Sequence, residues 1–171
     1  MNINNARKFM VEAQACFQDL KLPLVNESEK LNCECCANYI CFRSWISKDD
    51  KLAEILTHIF IDNDIIELSM NFCGDYDESI TRRLLEFING MNFHYAAGYW
   101  VLYSANGKFQ YRAAQIITEK SFEKELFKDM LKEFLEEGLY DYRYIRRIIQ
   151  NDEDLDTLLN EWLNPVSIDE M

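Results

Sequence analysis

The chain has 171 residues, and its 30 acidic and 18 basic residues give a formal net charge of −12. Such a charge repels nucleic-acid backbones and anionic membrane surfaces, so we expect neither as a partner. Hydrophobic residues make up 49% of the chain, with only 5 Gly and 2 Pro, which argues against long linkers and predicts a single domain with its own core.

The N-terminal segment predicts a helix from Asn4 to Leu20. Phe9, Ala13 and Phe17 recur at four-residue spacing and form one apolar stripe, and Pro23 prevents the helix from continuing. The segment lacks a basic start followed by a long apolar run, and no apolar stretch approaches the ~20 residues that span a bilayer. We therefore expect no signal peptide and a cytoplasmic location in which the thiols stay reduced.

Three strands are predicted next, over residues 38–46, 54–61 and 66–72. The third alternates apolar with polar side chains, as in a half-buried antiparallel strand. Asn63, between two aspartates, is a plausible hairpin turn between the second and third strands. Asp77 then resembles the N-cap of a second helix.

Two further strands flank Asn106-Gly107, a dipeptide that favours a tight hairpin turn. Ser121 is predicted to cap a third helix, which we expect Gly138 to break or bend. A last helix is predicted from Asp154 to Leu163. Pro165 should end the ordered chain.

The predicted order is α-β-β-β-α-β-β-α with short C-terminal helices, which is an α+β sandwich with helices on one side of an antiparallel sheet. We expect one domain over 1–171, comprising a core at 4–137, additional helices at 139–163 and a tail at 164–171. Several strands are apolar on both faces; Val101 and Tyr103, for example, alternate with Trp100 and Leu102. The face away from the helices must therefore be covered, either by the C-terminal helices or by a second protein.

The stretch "LLEFINGMNFHYAAGYWVLYSANGKFQYRAAQI" carries two asparagines three apart, Asn89 and Asn92, followed by a strand, a turn with Gly107 and a second strand. In this motif and in element order, residues 4–135 resemble the YbjN-like family, whose fold is that of type III secretion chaperones. The resemblance implies a bacterial protein-binding module, often dimeric, without an established chemical activity. The helices after Gly138 have no counterpart in that family.

Four of the six cysteines lie in "NCECCANYIC", at Cys33, Cys35, Cys36 and Cys41. Zinc sites usually pair C-x-x-C thiols with a second pair or with histidines, and here no second pair follows. In the metal alternative, Cys33 and Cys35 bind a soft metal ion, and His58 on the neighbouring strand adds a third ligand. Cys33 and Cys36 have the spacing of a redox pair, but they lack the helix N-terminus that lowers a thiol pKa. The third alternative is a set of small side chains that merely pack, and we expect no metal or other cofactor.

The sequence shows no acyl-transfer signature, phosphate-binding loop or calcium loop, so we expect no enzymatic activity. The main hypothesis is a non-enzymatic protein-binding module, a homodimer, whose partner segment lies along a sheet edge or on the sheet's uncovered face. The candidate contacts are Tyr39, Cys41, Trp100 and Tyr103, and truncation of Trp100 is expected to weaken assembly. The alternative hypothesis is a thiol- or metal-dependent sensor that uses the segment from Cys33 to Cys41.

Overall fold

The structure is a computed structural model that describes residues 1–25, 39–48, 51–73, 76, 78–95, 98–103, 108–117, 122–150 and 153–164. Several predicted features lie outside the described residues. They are the Asp77 and Ser121 caps, the Asn106-Gly107 turn, the tail from Pro165 onward, and Cys33, Cys35 and Cys36.

The described elements confirm the predicted α+β class. The helices are α1 (Ile3–Asp19), α2 (Glu78–His94), α3 (Lys124–Gln150) and α4 (Leu155–Leu163). The strands are β1 (Leu24–Val25), β2 (Tyr39–Lys48), β3 (Lys51–Phe60), β4 (Ile65–Cys73), β5 (Gly98–Tyr103) and β6 (Lys108–Ile116). The two-residue β1 was not predicted, since two residues are too few for an alternating pattern.

All neighbouring strands are antiparallel, in the order β1-β2-β3-β4-β6-β5. The β2–β3–β4 hairpins bring sequence neighbours together, whereas β4 pairs with β6 and not with β5. That crossover places β5 at one edge of the sheet, beside α2. The two-residue β1 forms the opposite edge.

The core lies between the helices and one face of the sheet, which we call the covered face. Phe17 of α1 meets Phe42 of β2 edge-on at 5.0 Å between ring centroids. Tyr142 of α3 stacks on Phe72 of β4 at 4.0 Å, and Phe134 stacks on Tyr111 of β6 at 5.4 Å. Tyr142 is half-buried, whereas the other rings and the aliphatic side chains between them are buried, and burial of this apolar surface drives folding.

The prediction that Gly138 breaks the third helix is wrong, because α3 continues through it to Gln150. A single glycine inside a helix costs only about 0.5–1 kcal/mol, less than tertiary packing supplies. Gly138 is buried, and a Cβ at this position would lie 3.0 Å from both Met70 Cε and Tyr111 Cδ1. The glycine therefore lets the middle of α3 approach the sheet closely.

The last helix, α4, begins where the sequence predicted. Asp154 is its N-cap and accepts a 2.9 Å hydrogen bond from the backbone N–H of Thr157. Its Leu158 is fully buried, and α4 packs against α2 and α3. Arg147 of α3 pairs with Glu153 and, at 2.6 Å, with Glu161 of α4. The C-terminal helices therefore add to the covered side of the sheet and do not cover its other face.

Candidate functional site

The face of the sheet opposite the helices, which we call the second face, is the candidate site. The described helices all belong to the layer that packs on Phe42, Phe72 and Tyr111. Within the described part of the chain, no helix therefore covers the second face. Strand register arranges its side chains in rows that cross the sheet, since paired residues in adjacent strands point the same way.

The row at one end of the second face is apolar across four adjacent strands. Tyr39 pairs with Phe60, Phe60 with Ile65, and Ile65 with Ile116. Tyr39, Phe60 and the neighbouring His58 form a ring cluster, with centroids 5.4–6.0 Å apart. Ile116 is 75% exposed although it is a large aliphatic residue. We call these four residues, Tyr39, Phe60, Ile65 and Ile116, the apolar row.

The opposite half of the second face carries a chain of polar contacts across β2, β3, β4 and β6. Arg43 pairs with Glu54 at 3.2 Å, and Asn71 donates to Glu54 at 3.0 Å. Gln110 donates to Asn71 at 2.7 Å and accepts a 3.1 Å hydrogen bond from Tyr103. These contacts join side chains of neighbouring strands into one polar network.

Between these two halves lies a row made of Cys41, His58 and Glu67, paired directly across three strands. Burial lowers the pKa of the His58 imidazole, while the nearby Glu67 opposes that shift. Its Nδ1 is buried and has no hydrogen-bond partner among the described residues. Cys41 is 8% exposed. The described residues contain no group of three metal-ligating side chains arranged to hold an ion.

Three of the four predicted partner contacts share the second face. Tyr39 belongs to the apolar row, Cys41 lies beside it, and Tyr103, 39% exposed, lies at the β5 edge. Alternation within the strands predicted this face, but it did not identify which side of β5 would be buried. Ile116, the most exposed apolar side chain of the site, was missed because the sequence places it at the end of a strand.

The prediction that Trp100, the fourth residue, contacts a partner is wrong, because Trp100 lies on the covered face and is only 2% exposed. Its Nε1 donates a 2.6 Å hydrogen bond to Asp141 of α3. Asp141 also accepts hydrogen bonds from Tyr95 at 2.5 Å and from the indole of Trp162 at 2.7 Å. Truncation of Trp100 would therefore disturb the core and does not test a partner surface.

The outer edge of β5 is occupied by α2. The Asn92 side chain accepts a 2.6 Å hydrogen bond from the Trp100 backbone N–H and donates a 2.9 Å bond to the Trp100 carbonyl. An amide side chain thus takes the place of a neighbouring strand, which blunts the edge against strand addition. This contact gives a physical role to the second asparagine of the pair that carries the family resemblance.

Comparison with known proteins found no family model, no curated protein and no solved structure that matches this chain. Among the described residues, no helix has the length and apolar character needed to cross a bilayer.

Proposed function

We propose that this chain is a non-enzymatic protein-binding module that takes a segment of a partner protein on the second face of its sheet. The observation that carries the proposal is the apolar row. It crosses four adjacent strands, and no described helix covers it. A contiguous apolar patch beside a polar rim is typical of a protein interaction surface.

The apolar row supplies the binding energy in this proposal. Complete burial of an exposed Ile116 would contribute roughly 1.5–3 kcal/mol, and the aromatic rings of Tyr39 and Phe60 would add to it. The net charge of −12 favours a partner segment with apolar anchors and basic flanks, because opposite charge speeds the encounter.

Face docking is favoured over strand addition at the β5 edge of the sheet. At β5, Asn92 already holds the outward backbone groups of Trp100. At the other edge, the described β1 pairs with Arg43 and Ser44 of the ten-residue β2 and leaves the rest of that strand without a described neighbour on its outer side. A partner that depends on side-chain contacts with the face needs neither edge.

The resemblance to the YbjN-like family supports a homodimer in the bacterial cytoplasm as part of the same proposal. In that arrangement a second copy, or a partner protein, would cover the apolar row.

Site-specific photocrosslinking tests the proposal. A benzoylphenylalanine at position 116 should crosslink, in cells, to one defined peptide of a partner or of a second copy, mapped by mass spectrometry. The control places the same group at Val11, which is also exposed but lies on α1. Phe60→Glu should abolish the position 116 crosslink while leaving the far-ultraviolet circular dichroism unchanged. Equal crosslinking from positions 11 and 116 would contradict the proposal.

The alternative function, a thiol- or metal-dependent sensor, is favoured by one observation. Cys41 is the direct register partner of His58, whose Nδ1 is buried without a hydrogen-bond partner in the described part of the chain. Native mass spectrometry of the reduced protein tests this candidate. Stoichiometric zinc or iron that disappears when Cys33, Cys35 and Cys36 are changed to serine would make sensing the better proposal. A metal-free spectrum would remove the metal-dependent form of this candidate, and thiol pKa values in the ordinary range would remove the thiol-dependent form.

A further inference from the structure

A small cavity of about 200 Å³ lies on the covered side, between α3 and the β5–β6 end of the sheet. It is separate from the second face. Eight residues line it: Tyr95, Gly98, Tyr111, Ala113, Met130, Glu133, Phe134 and Glu137. The volume is smaller than the roughly 300–1,000 Å³ of a site for a drug-sized ligand, so it suits a single small group or one side chain.

The wall contributed by α3 is acidic. Glu133 and Glu137 lie one turn apart on this helix, and Asp141 follows one turn later behind the cavity. Neither glutamate forms an ion pair with a described residue, and the lining contains no lysine or arginine. Burial raises the pKa of Glu137, and both Asp141 and Glu133 raise it further by like-charge repulsion. A cation in the cavity would relieve that repulsion.

The rest of the lining is aromatic and aliphatic. The rings of Tyr111 and Phe134 are stacked at 5.4 Å, and Tyr95 lies 5.6 Å from Tyr111. Ala113 and Met130 complete the apolar part of the wall. Aromatic rings beside carboxylates attract organic cations, through the negative ring face and through charge-assisted hydrogen bonds.

Fixed hydrogen bonds hold this lining in place. The Tyr111 hydroxyl donates to Glu137 Oε2 at 2.5 Å, and the Tyr95 hydroxyl donates to Asp141. Gly98 makes room for the first of these contacts, since a Cβ there would lie within 2.6 Å of Tyr111 Cζ. The Tyr111 hydroxyl thereby fixes the position of Glu137 Oε2. The other carboxylate oxygen of Glu137 has no hydrogen bond among the described residues.

We propose that this cavity binds a small organic cation, an alkylammonium group, with the aliphatic stem against Met130 and Ala113 and the charge between Glu133 and Glu137. The two sources of such a group are a free amine and the lysine side chain of a partner protein. Both present the same chemistry to the cavity.

Nuclear magnetic resonance titration of the full chain tests the proposal. The probes are n-butylammonium chloride, and Nα-acetyl-lysine N-methylamide as the mimic of a partner's lysine. We expect saturable shifts of the Gly98 and Ala113 amides with a dissociation constant of about 1 mM or below, a range accessible to a ligand of this size. The neutral counterparts n-butanol and Nα-acetyl-norleucine N-methylamide should bind at least about tenfold more weakly.

Glu133→Gln and Glu137→Gln should each weaken n-butylammonium binding by about tenfold, while Glu136→Gln, a similarly exposed neighbour that does not line the cavity, should not. Glutamine at 137 keeps an acceptor for the Tyr111 hydroxyl, so these variants should fold. Tighter binding of the amine assigns the site to a small molecule, and tighter binding of the lysine derivative assigns it to a partner. Shifts that do not saturate with either probe, or equal binding of the neutral counterparts, would overturn the proposal.

Discussion

Asp141 provides the sharpest test of how this fold is held together. Its carboxylate is fully buried in the middle of α3 and accepts hydrogen bonds from Tyr95, Trp100 and Trp162. These donors come from the residue after α2, from β5 and from α4, so one side chain joins four elements. Asp141→Ala would leave all three donors without their acceptor.

The cost can be worked from the burial of each donor. A buried donor that loses its partner costs about 1–3 kcal/mol. Trp100 is almost fully buried and should incur the upper part of that range, whereas Tyr95 and Trp162 are half-buried and can reach water. The sum is about 3–5 kcal/mol. Removal of a buried charge offsets part of it, because the carboxylate's desolvation penalty disappears, so we expect a net loss of about 2–4 kcal/mol.

Urea unfolding followed by far-ultraviolet circular dichroism at pH 7 measures this loss. Asp129→Ala is the matched control, because Asp129 lies exposed on the same helix and, among the described residues, pairs only with Lys132, at 3.0 Å. The Asp129→Ala variant should lose no more than about 0.5 kcal/mol of its free energy of unfolding. Asp141→Asn keeps an acceptor for two donors but turns its own N–H toward the third, and should cost about 1–2 kcal/mol. An Asp141→Ala variant as stable as the control would refute the reasoning.

Three further predictions concern Gly98, Asn92 and the pH dependence that Asp141 gives to stability. Gly98→Ala should lower the free energy of unfolding by about 2 kcal/mol or more, because the added Cβ would overlap the buried side chain of Tyr111. Gly90→Ala is the control: it lies within α2 and faces the flexible side chain of Leu159, so it should be near neutral in the same urea assay. Asn92→Ala should lower the free energy of unfolding by about 1–3 kcal/mol. It should also raise light scattering at high protein concentration, because it exposes the β5 edge. Asn89→Ala, on the exposed face of α2, should have neither effect. Burial raises the pKa of Asp141 in the native state, so the native state holds a proton that the unfolded state releases above about pH 4. The free energy of unfolding should therefore fall as pH rises from about 4 to the native pKa and stay level above it, and the disadvantage of Asp141→Asn should shrink over that interval. A gap that widens with pH would contradict this sign.

Local patterns in the sequence predicted most of the architecture. Alternation identified the long strands, and four-residue spacing identified the helices, because each element buries one side against the same core. The cap of α4 at Asp154 was also predictable, since a short side chain must accept from the first free backbone N–H groups of the helix. The error at Gly138 arose because propensity alone does not register how closely a helix approaches a sheet.

The candidate site was predicted less completely. The sequence indicated a second apolar face, and Tyr39, Cys41 and Tyr103 lie on it. Trp100 was assigned to the wrong side, because a strand that is apolar on both faces has no pattern to distinguish them. The position of Ile116 depends on the pairing of β4 with β6, a contact between segments distant in sequence.

By itself, the sequence determined the class of fold, the kind of its long elements and the net charge of −12. These properties depend on composition and on spacing within single segments. Only the tertiary structure decided that Asp141 would accept hydrogen bonds from three other segments and that Asn92 would bind the β5 edge. It also decided that Glu133 and Glu137 would line a cavity with aromatic walls. Each of these arrangements depends on the strand order and on helix docking, which bring together residues that no local period relates.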